Sequence, residues 1–233
     1  MMPLLAKAPR SSAETELPVA TLVNGYLDAL DVVVESGFGY EIDWQEQCRL
    51  EELTEATFLR ETAWVILSSG MSTRAVCARF PSISTAFLGW ESAERIVRAR
   101  ERCRRRALRV FRHPAKIDAI GSVAAFVARA TFAEVQSQIN KRGVDALATL
   151  PFIGPITKFH LAKNLGIDVA KPDRHLVRLA LSAGVSSPDQ LCKVISAATG
   201  DRVATVDLVF WRYATINRGY ANLFVRSHVP ESS

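Results

Sequence analysis

Residues 150 to 179 set a tight Pro/Gly turn just ahead of a helix that opens on an aspartate, and this pairing constrains the chain more than any other stretch. The turn reads Leu150-Pro151-Phe152-Ile153-Gly154-Pro155. Pro151 and Gly154 shape it, and Pro155 suits the first position of the next helix. That helix is predicted to start with free backbone N–H groups at Ile156, Thr157 and Lys158. Such groups, with the positive end of the helix dipole, make a phosphate site, and Lys158 adds a point charge. An ordinary pair of helices joined by a turn needs no ligand, however. Further on, Lys171 precedes Pro172, which disfavours helix there. Asp173 then falls where an N-cap belongs, ahead of Leu176, Val177, Leu179 and Ala180. Alone it would be a cap and nothing more.

The rest of the chain is helix-periodic. An apolar side over Thr21 to Glu35 carries Leu22, Tyr26, Leu27, Leu30, Val33 and Val34, and Gly37 and Gly39 break it. Residues 55 to 69 predict a buried helix with Phe58, Leu59, Thr62, Trp64, Val65, Ile66 and Leu67, stopped by Gly70. Ser72 suits the cap of a short helix, Val76 to Phe80, ended by Pro81. Residues 115 to 129 are amphipathic through Ile117, Ile120, Val123, Ala124 and Val127. Thr131 and Glu134 form a capping-box pattern, and Gly143 separates the helix they open from a short one over Val144 to Thr149. Ser187-Pro188 opens another helix, which Gly200 closes. Asp201 is the expected cap of a final long one. No alternating strand pattern occurs, so the chain is read as all-α, with about nine to eleven helices.

Charge is unevenly spread. The net charge is +5 over 233 residues, which by itself only mildly favours a polyanionic partner. Residues 28 to 61 carry ten acids against Arg49 and Arg60. Such a face repels DNA. Residues 95 to 116 carry nine arginines and Lys116 against Glu101. Arg98, Arg102, Arg105, Arg109 and Arg112 share one helical stripe, more positive charge than solubility needs, and phosphate contact is as good a reading as a solvated face. The four cysteines are widely spaced with no C-x-x-C pair, which argues against a zinc ribbon or redox motif. They suit reduced, mostly buried thiols in a cytoplasmic protein. His113, His160, His175 and His228 lack metal-ligand spacing. No apolar run approaches the ~18 residues of a membrane span, and the start of the chain lacks a signal-peptide core.

Together, Leu150-Pro151-Phe152-Ile153-Gly154 and Asp173-Arg174-His175 resemble the helix-hairpin-helix DNA glycosylase superfamily, the endonuclease-III-like fold. Its hairpin commonly reads Leu-Pro-Gly-(Ile/Val)-Gly, followed within about twenty residues by Asp-x-His. Val65 to Thr73 and Val206-Asp207-Leu208 are more weakly similar. Strong similarity covers about 30 residues. The resemblance implies a two-lobed fold with a DNA cleft between the lobes. One lobe spans residues 61–166 and contains the hairpin motif at 144–165. The other joins 18–60 to 167–233, with a loose N-terminus over residues 1–17. It implies hydrolysis of the N-glycosidic bond of a flipped base in double-stranded DNA. Asp173 would stabilise the oxocarbenium-like sugar and orient the attacking water. His175 would pack behind it without taking a proton.

The resemblance places Phe152, Gly154, Ile156, Thr157 and Lys158 on the DNA-backbone hairpin, and the charge stripe offers Arg98, Arg102, Arg105 and Arg109 as further phosphate contacts. Met71 is a candidate wedge, and Trp64 and Trp211 candidate pocket walls. Two departures bear on mechanism. Phe152 replaces the first hairpin glycine. Ile156 stands where bifunctional members carry a nucleophilic lysine, so a monofunctional reaction leaving an abasic site is expected. A lyase using Lys158 or Lys163, or a non-enzymatic DNA-binding module with Asp173 as a plain cap, are the alternatives. The cysteine cluster that holds [4Fe–4S] in some members is absent, so no cofactor and no metal is expected. A monomer is expected. An antiviral prokaryotic branch of the family removes glucosylated hydroxymethylcytosine from phage DNA, and the Lys-Pro-Asp-Arg-His segment is similar to such divergent members. Oxidised and alkylated bases remain open as substrates.

Overall fold

The computed structural model describes residues 17–224, and every regular element within them is helical. The expected loose N-terminus lies, apart from Leu17, outside the described residues, as does His228. Helix α1 (Val19–Val33) runs through a π-helical turn at Val34–Phe38 into α2 (Gly39–Gln47). Gly37, at φ 83°, makes the kink between them, a backbone state that costs glycine little. Then follow α3 (Glu55–Ser68), α4 (Thr73–Cys77), α5 (Phe80–Ala86), α6 (Ala93–Arg98) and α7 (Arg100–Val110). Next are α8 (Pro114–Ala130), α9 (Phe132–Arg142), α10 (Val144–Leu147) and α11 (Thr157–Asn164). The last three are α12 (Arg174–Ser182), α13 (Pro188–Thr199) and α14 (Val203–Ile216).

Local chemistry sets many of these boundaries. Thr54, Ser72, Ser92, Thr131 and Ser187 each accept a hydrogen bond from the backbone N–H three residues on, satisfying one of the donors a helix start leaves open. Gly200 closes α13 in the left-handed conformation. No described helix is long and apolar enough to cross a membrane.

Several expectations are corrected. Fourteen α-helices occur among the described residues, because short helices fill segments expected as loops. Pro81 sits in the first turn of α5, where its missing N–H costs nothing, and does not end a helix. The basic stretch is two helices, broken at Ala99 (φ −102°, ψ 14°), so the arginine stripe is continuous only from Arg102 to Arg109. Asp201 does not cap α14. Its carboxylate accepts from the Tyr26 hydroxyl at 2.7 Å, while Asp168 accepts from Ala204 N at 2.8 Å and so caps α14 from a distance. Leu27 and Val34 are exposed, and only two of the four cysteines, Cys103 and Cys192, are buried.

The buried side chains fall into two hydrophobic clusters. One comes from a single stretch, Leu53 to Leu165, and includes Phe58, Ile66, Ile117, Ile139 and Leu161. The other joins α1 to the C-terminal helices, packing Leu22, Tyr26 and Val33 against Leu176, Leu191, Ile195 and Phe210. Leu53, Phe58 and Leu59 belong to the first cluster although they precede residue 61. Arg202, just before α14, ties the segments near the junction together. Its guanidinium donates to the carbonyls of Gln45 (3.1 Å), Cys48 (2.8 Å) and Gly166 (2.8 Å).

Gly166 marks the tightest backbone approach at this junction. It adopts φ +92°, and a Cβ there would lie 2.8 Å from Arg49 Cα and closer still to the Arg49 carbonyl carbon and Leu50 N. Gly166→Ala therefore combines strain at positive φ with a backbone collision. We expect it to lower the unfolding free energy by about 2 kcal/mol or more, read from urea denaturation. An unchanged midpoint would show that the loop at Arg49–Leu50 yields freely.

Candidate active site

A cavity of about 770 Å³ opens between elements of the two clusters. Helix α2 contributes Glu41, Trp44 and Gln45. Helix α3 contributes Arg60, Glu61, Trp64 and Ser68, and the turn after it Ser69, Gly70 and Met71. Helix α5 adds Phe80, Pro81 and Ser84, and α14 adds Asp207, Leu208, Trp211 and Arg212. From the hairpin helix come Ile156, Thr157, His160, Lys163 and Asn164, a spacing that falls on one helical face. Lys171 completes the wall. The candidate wedge and pocket residues Met71, Trp64 and Trp211 thus border one cavity together with Ile156 and Thr157. Met71 is exposed, whereas Trp64 packs edge-on against Phe80 at 5.1 Å. Arg212 lies between the Trp211 and Phe38 rings, 4.8 and 4.2 Å from their centroids, and its Nε donates to Glu41 at 2.8 Å.

A buried ion pair forms one side of this cavity. Lys163 of α11 and Asp207 of α14 are 7% and 1% exposed and bonded directly. Asp207 also accepts from Lys171 N at 2.5 Å. Burial pushes the Asp207 carboxyl up, and Lys163 and the Lys171 N–H pull it back. The His160 imidazole is pushed down to about 3 by burial and by the nearby ammonium groups of Lys171 and Lys163. It is therefore a neutral ring at ordinary pH.

Asp173 is not part of the cavity wall. It sits one step behind Lys171, whose Nζ lies 3.5 Å from Asp173 Oδ2. The other oxygen caps α12, accepting from His175 N at 2.9 Å and Leu176 N at 3.2 Å. One face of the carboxylate is thus a cap and the other is turned to the lysine that lines the cavity. His175 packs edge-on against Tyr220 at 5.1 Å and accepts from Arg174 Nε at 3.3 Å. Burial pushes its imidazole down, offset in part by Asp173.

The hairpin keeps the expected turn at a conformational cost. Phe152, standing where the resembled motif has glycine, takes φ 63°, a state that costs a residue with a Cβ about 1–2 kcal/mol. Its ring meets His113 edge-on at 6.4 Å, which sets the hairpin against the loop that ends the arginine helix α7. Thr157 Oγ1 accepts from Gly154 N at 2.7 Å.

The helix starts at Thr157, two residues later than expected, and Lys158 N donates to Gly154 O at 3.0 Å. Lys158 N–H is therefore not free, and its ammonium pairs with Asp145 at 2.7 Å. Arg98, Arg102 and Arg105 line a separate shallow cleft, and Arg109 is exposed on α7 beyond it. Lys116, at the start of α8, is buried and donates to the carbonyls of Leu67 (2.8 Å) and Ser69, which steadies the turn carrying Met71.

Sequence reasoning missed Glu41, Trp44, Glu61, His160, Asn164, Lys171 and Asp207 as wall residues. One left a readable signal. Asp207 is the lone acid of a largely apolar helical run, and a buried charge needs a partner. Among the described residues no cluster of three or more His, Cys, Asp or Glu side chains is placed to hold a metal ion. Compared with family models, curated proteins and solved structures, the chain matches none.

Removing one member of the buried pair strands the other. Asp207→Ala should lower the unfolding free energy by about 3–5 kcal/mol, and adding Lys163→Met should recover most of that loss. Chemical denaturation of the single and double variants checks this. Equal losses in both would mean that Lys163 has another partner once Asp207 is gone.

Proposed function

We propose that the protein is a monofunctional DNA N-glycosylase. It flips a modified base from the duplex into the cavity and hydrolyses the N-glycosidic bond, leaving an abasic site. The observation that carries this reading is the placement of Asp173 one lysine behind an aromatic-lined cavity that also takes its wall from the hairpin helix and from the turn bearing Met71. Its volume is in the usual range for a site that encloses a small organic group. Trp64, Trp211 and Phe80 supply faces on which a base stacks, and stacking is sequence-tolerant.

In this mechanism the hairpin and the arginines of α6 and α7 hold phosphates, which positions the duplex without reading sequence. Met71 fills the gap left in the stack. As the glycosidic bond lengthens, the sugar becomes cationic. The Asp173 carboxylate stabilises that charge and orients the water that attacks C1′, which requires the Lys171 ammonium beside its Oδ2 to turn aside. The base leaves with the electron pair of the broken bond. Lys158 is engaged by Asp145 and Lys163 by Asp207, which favours water over a lysine amine as the nucleophile. The cavity has room for a base with a bulky substituent. Glucosylated hydroxymethylcytosine of phage DNA is accordingly the first substrate to try, and antiviral defence the role it implies.

One observation favours a second reading. Asp173 caps α12 with two hydrogen bonds, and a non-enzymatic DNA-binding module would need no more of it. Asp173→Asn separates the two, because asparagine caps as well as aspartate but carries no charge. The glycosylase reading expects base release to fall by about 10²–10⁴-fold while DNA affinity largely survives. Release at near wild-type rate contradicts the assignment. Wild-type protein that binds DNA and frees no base supports the module.

A further inference from the structure

The cavity holds a polar pair that the proposed mechanism does not use. Glu61 on α3 and Asn164 on α11 both line it, yet they are only 4% and 7% exposed. Asn164 Nδ2 donates to Glu61 Oε2 at 2.9 Å. Arg60 donates to Glu61 Oε1, also at 2.9 Å, so the carboxylate is held from both ends. A carboxylate oxygen has capacity for a second hydrogen bond, and an amide that donates through its nitrogen keeps its carbonyl oxygen as an acceptor. Both residues line the cavity, and each keeps acceptor capacity beyond these bonds. Trp64 lies three residues from Glu61, one helical turn away on the same face of α3, and also lines the cavity. A base stacked on that indole would lie within one helical turn of Glu61.

Resting on the glycosylase reading, we propose that Glu61 and Asn164 recognise the exocyclic amino group of the flipped base. The substrate is then an amino-bearing base of the cytosine or adenine type, not its oxo counterpart. An amino group offers two N–H donors to the acceptors. An oxo group in the same place sets a carbonyl oxygen against a carboxylate and offers it no donor. Sites built to hydrogen-bond a substrate N–H or O–H reject the analogue that lacks it strongly. A carboxylate accepting from the cytosine amino group is an established pairing in base recognition. The fixed geometry matters as well, because a side chain held by Arg60 and Asn164 does not rearrange cheaply to suit the wrong base.

The test uses matched duplexes that differ only in this group: 5-hydroxymethylcytosine against 5-hydroxymethyluracil, the glucosylated forms of both, and adenine against hypoxanthine. Released bases are quantified by mass spectrometry. For whichever pair is processed, the amino member should be released at least about 100-fold faster. Glu61→Gln keeps the size of the side chain and can turn an amide N–H toward the base, so it should lower that ratio by about tenfold or more. Equal release of both members by the wild type, a preference for the oxo member, or an undiminished ratio in a folded, DNA-binding Glu61→Gln overturns the proposal and leaves the glycosylase reading standing. Should Glu61→Gln not fold, the wild-type ratio decides alone. No release from any duplex removes the glycosylase reading and this proposal with it.

Discussion

The ion pair between Lys163 and Asp207 joins the parts of the molecule on which everything at the site depends. Lys163 belongs to α11, whose neighbouring Leu161, Ala162 and Leu165 lie in the first hydrophobic cluster. Asp207 belongs to α14, whose Val206, Val209 and Phe210 lie in the second. Burying two charges carries a large desolvation penalty, and a hydrophobic pair of the same volume is often as stable. What the pair adds is a directional contact. It sets α11 against α14 at one position, and the second oxygen of Asp207 then holds the backbone of Lys171. Lys171 in turn stands beside Asp173. A single buried carboxylate thus relates the hairpin helix, the cavity wall and the candidate catalytic aspartate.

Around that junction the work is divided by environment. The sides of the cavity are aromatic, while its polar groups are held in pairs such as Glu41 with Arg212, Glu61 with Asn164 and Lys163 with Asp207. Paired groups keep their positions when water is displaced by a ligand. The proposed phosphate contacts of α6 and α7 lie outside the cavity. The hairpin, through Phe152 and His113, meets the end of the arginine helix, and Lys116 links the start of α8 to the turn of Met71. The short segment from His113 to Lys116 therefore touches both the hairpin and the turn that carries Met71.

Much of the helical layout was legible because it rests on local rules. Thr54, Ser72, Thr131, Ser187 and Gly200 mark helix ends through side-chain caps or left-handed backbone, and these act over three or four residues. Pro81 and Asp201 misled for the same reason. Each fits more than one role: Pro81 suits the first turn of α5 as well as a helix end, and Asp201 is engaged by the distant Tyr26 hydroxyl. Of the candidate site, one grouping can be compared with the structure. Met71, Trp64, Trp211, Ile156 and Thr157 do share one cavity. Glu61, Asn164, Lys171 and Asp207 were missed because each becomes a site residue only through a partner at least 36 positions away in the chain. Asp173 was legible as a helix cap, and it is one, but its place behind Lys171 rests on packing that no local pattern encodes.

The most direct test of the glycosylase reading is chemical. Wild-type protein is incubated with duplexes carrying normal, damaged and phage-modified bases, and the low-molecular-weight fraction is analysed by mass spectrometry. A free base, matched by an abasic site in the strand it left, is the predicted result. Intact strands throughout the panel, or release of nucleotides in place of bases, would contradict it.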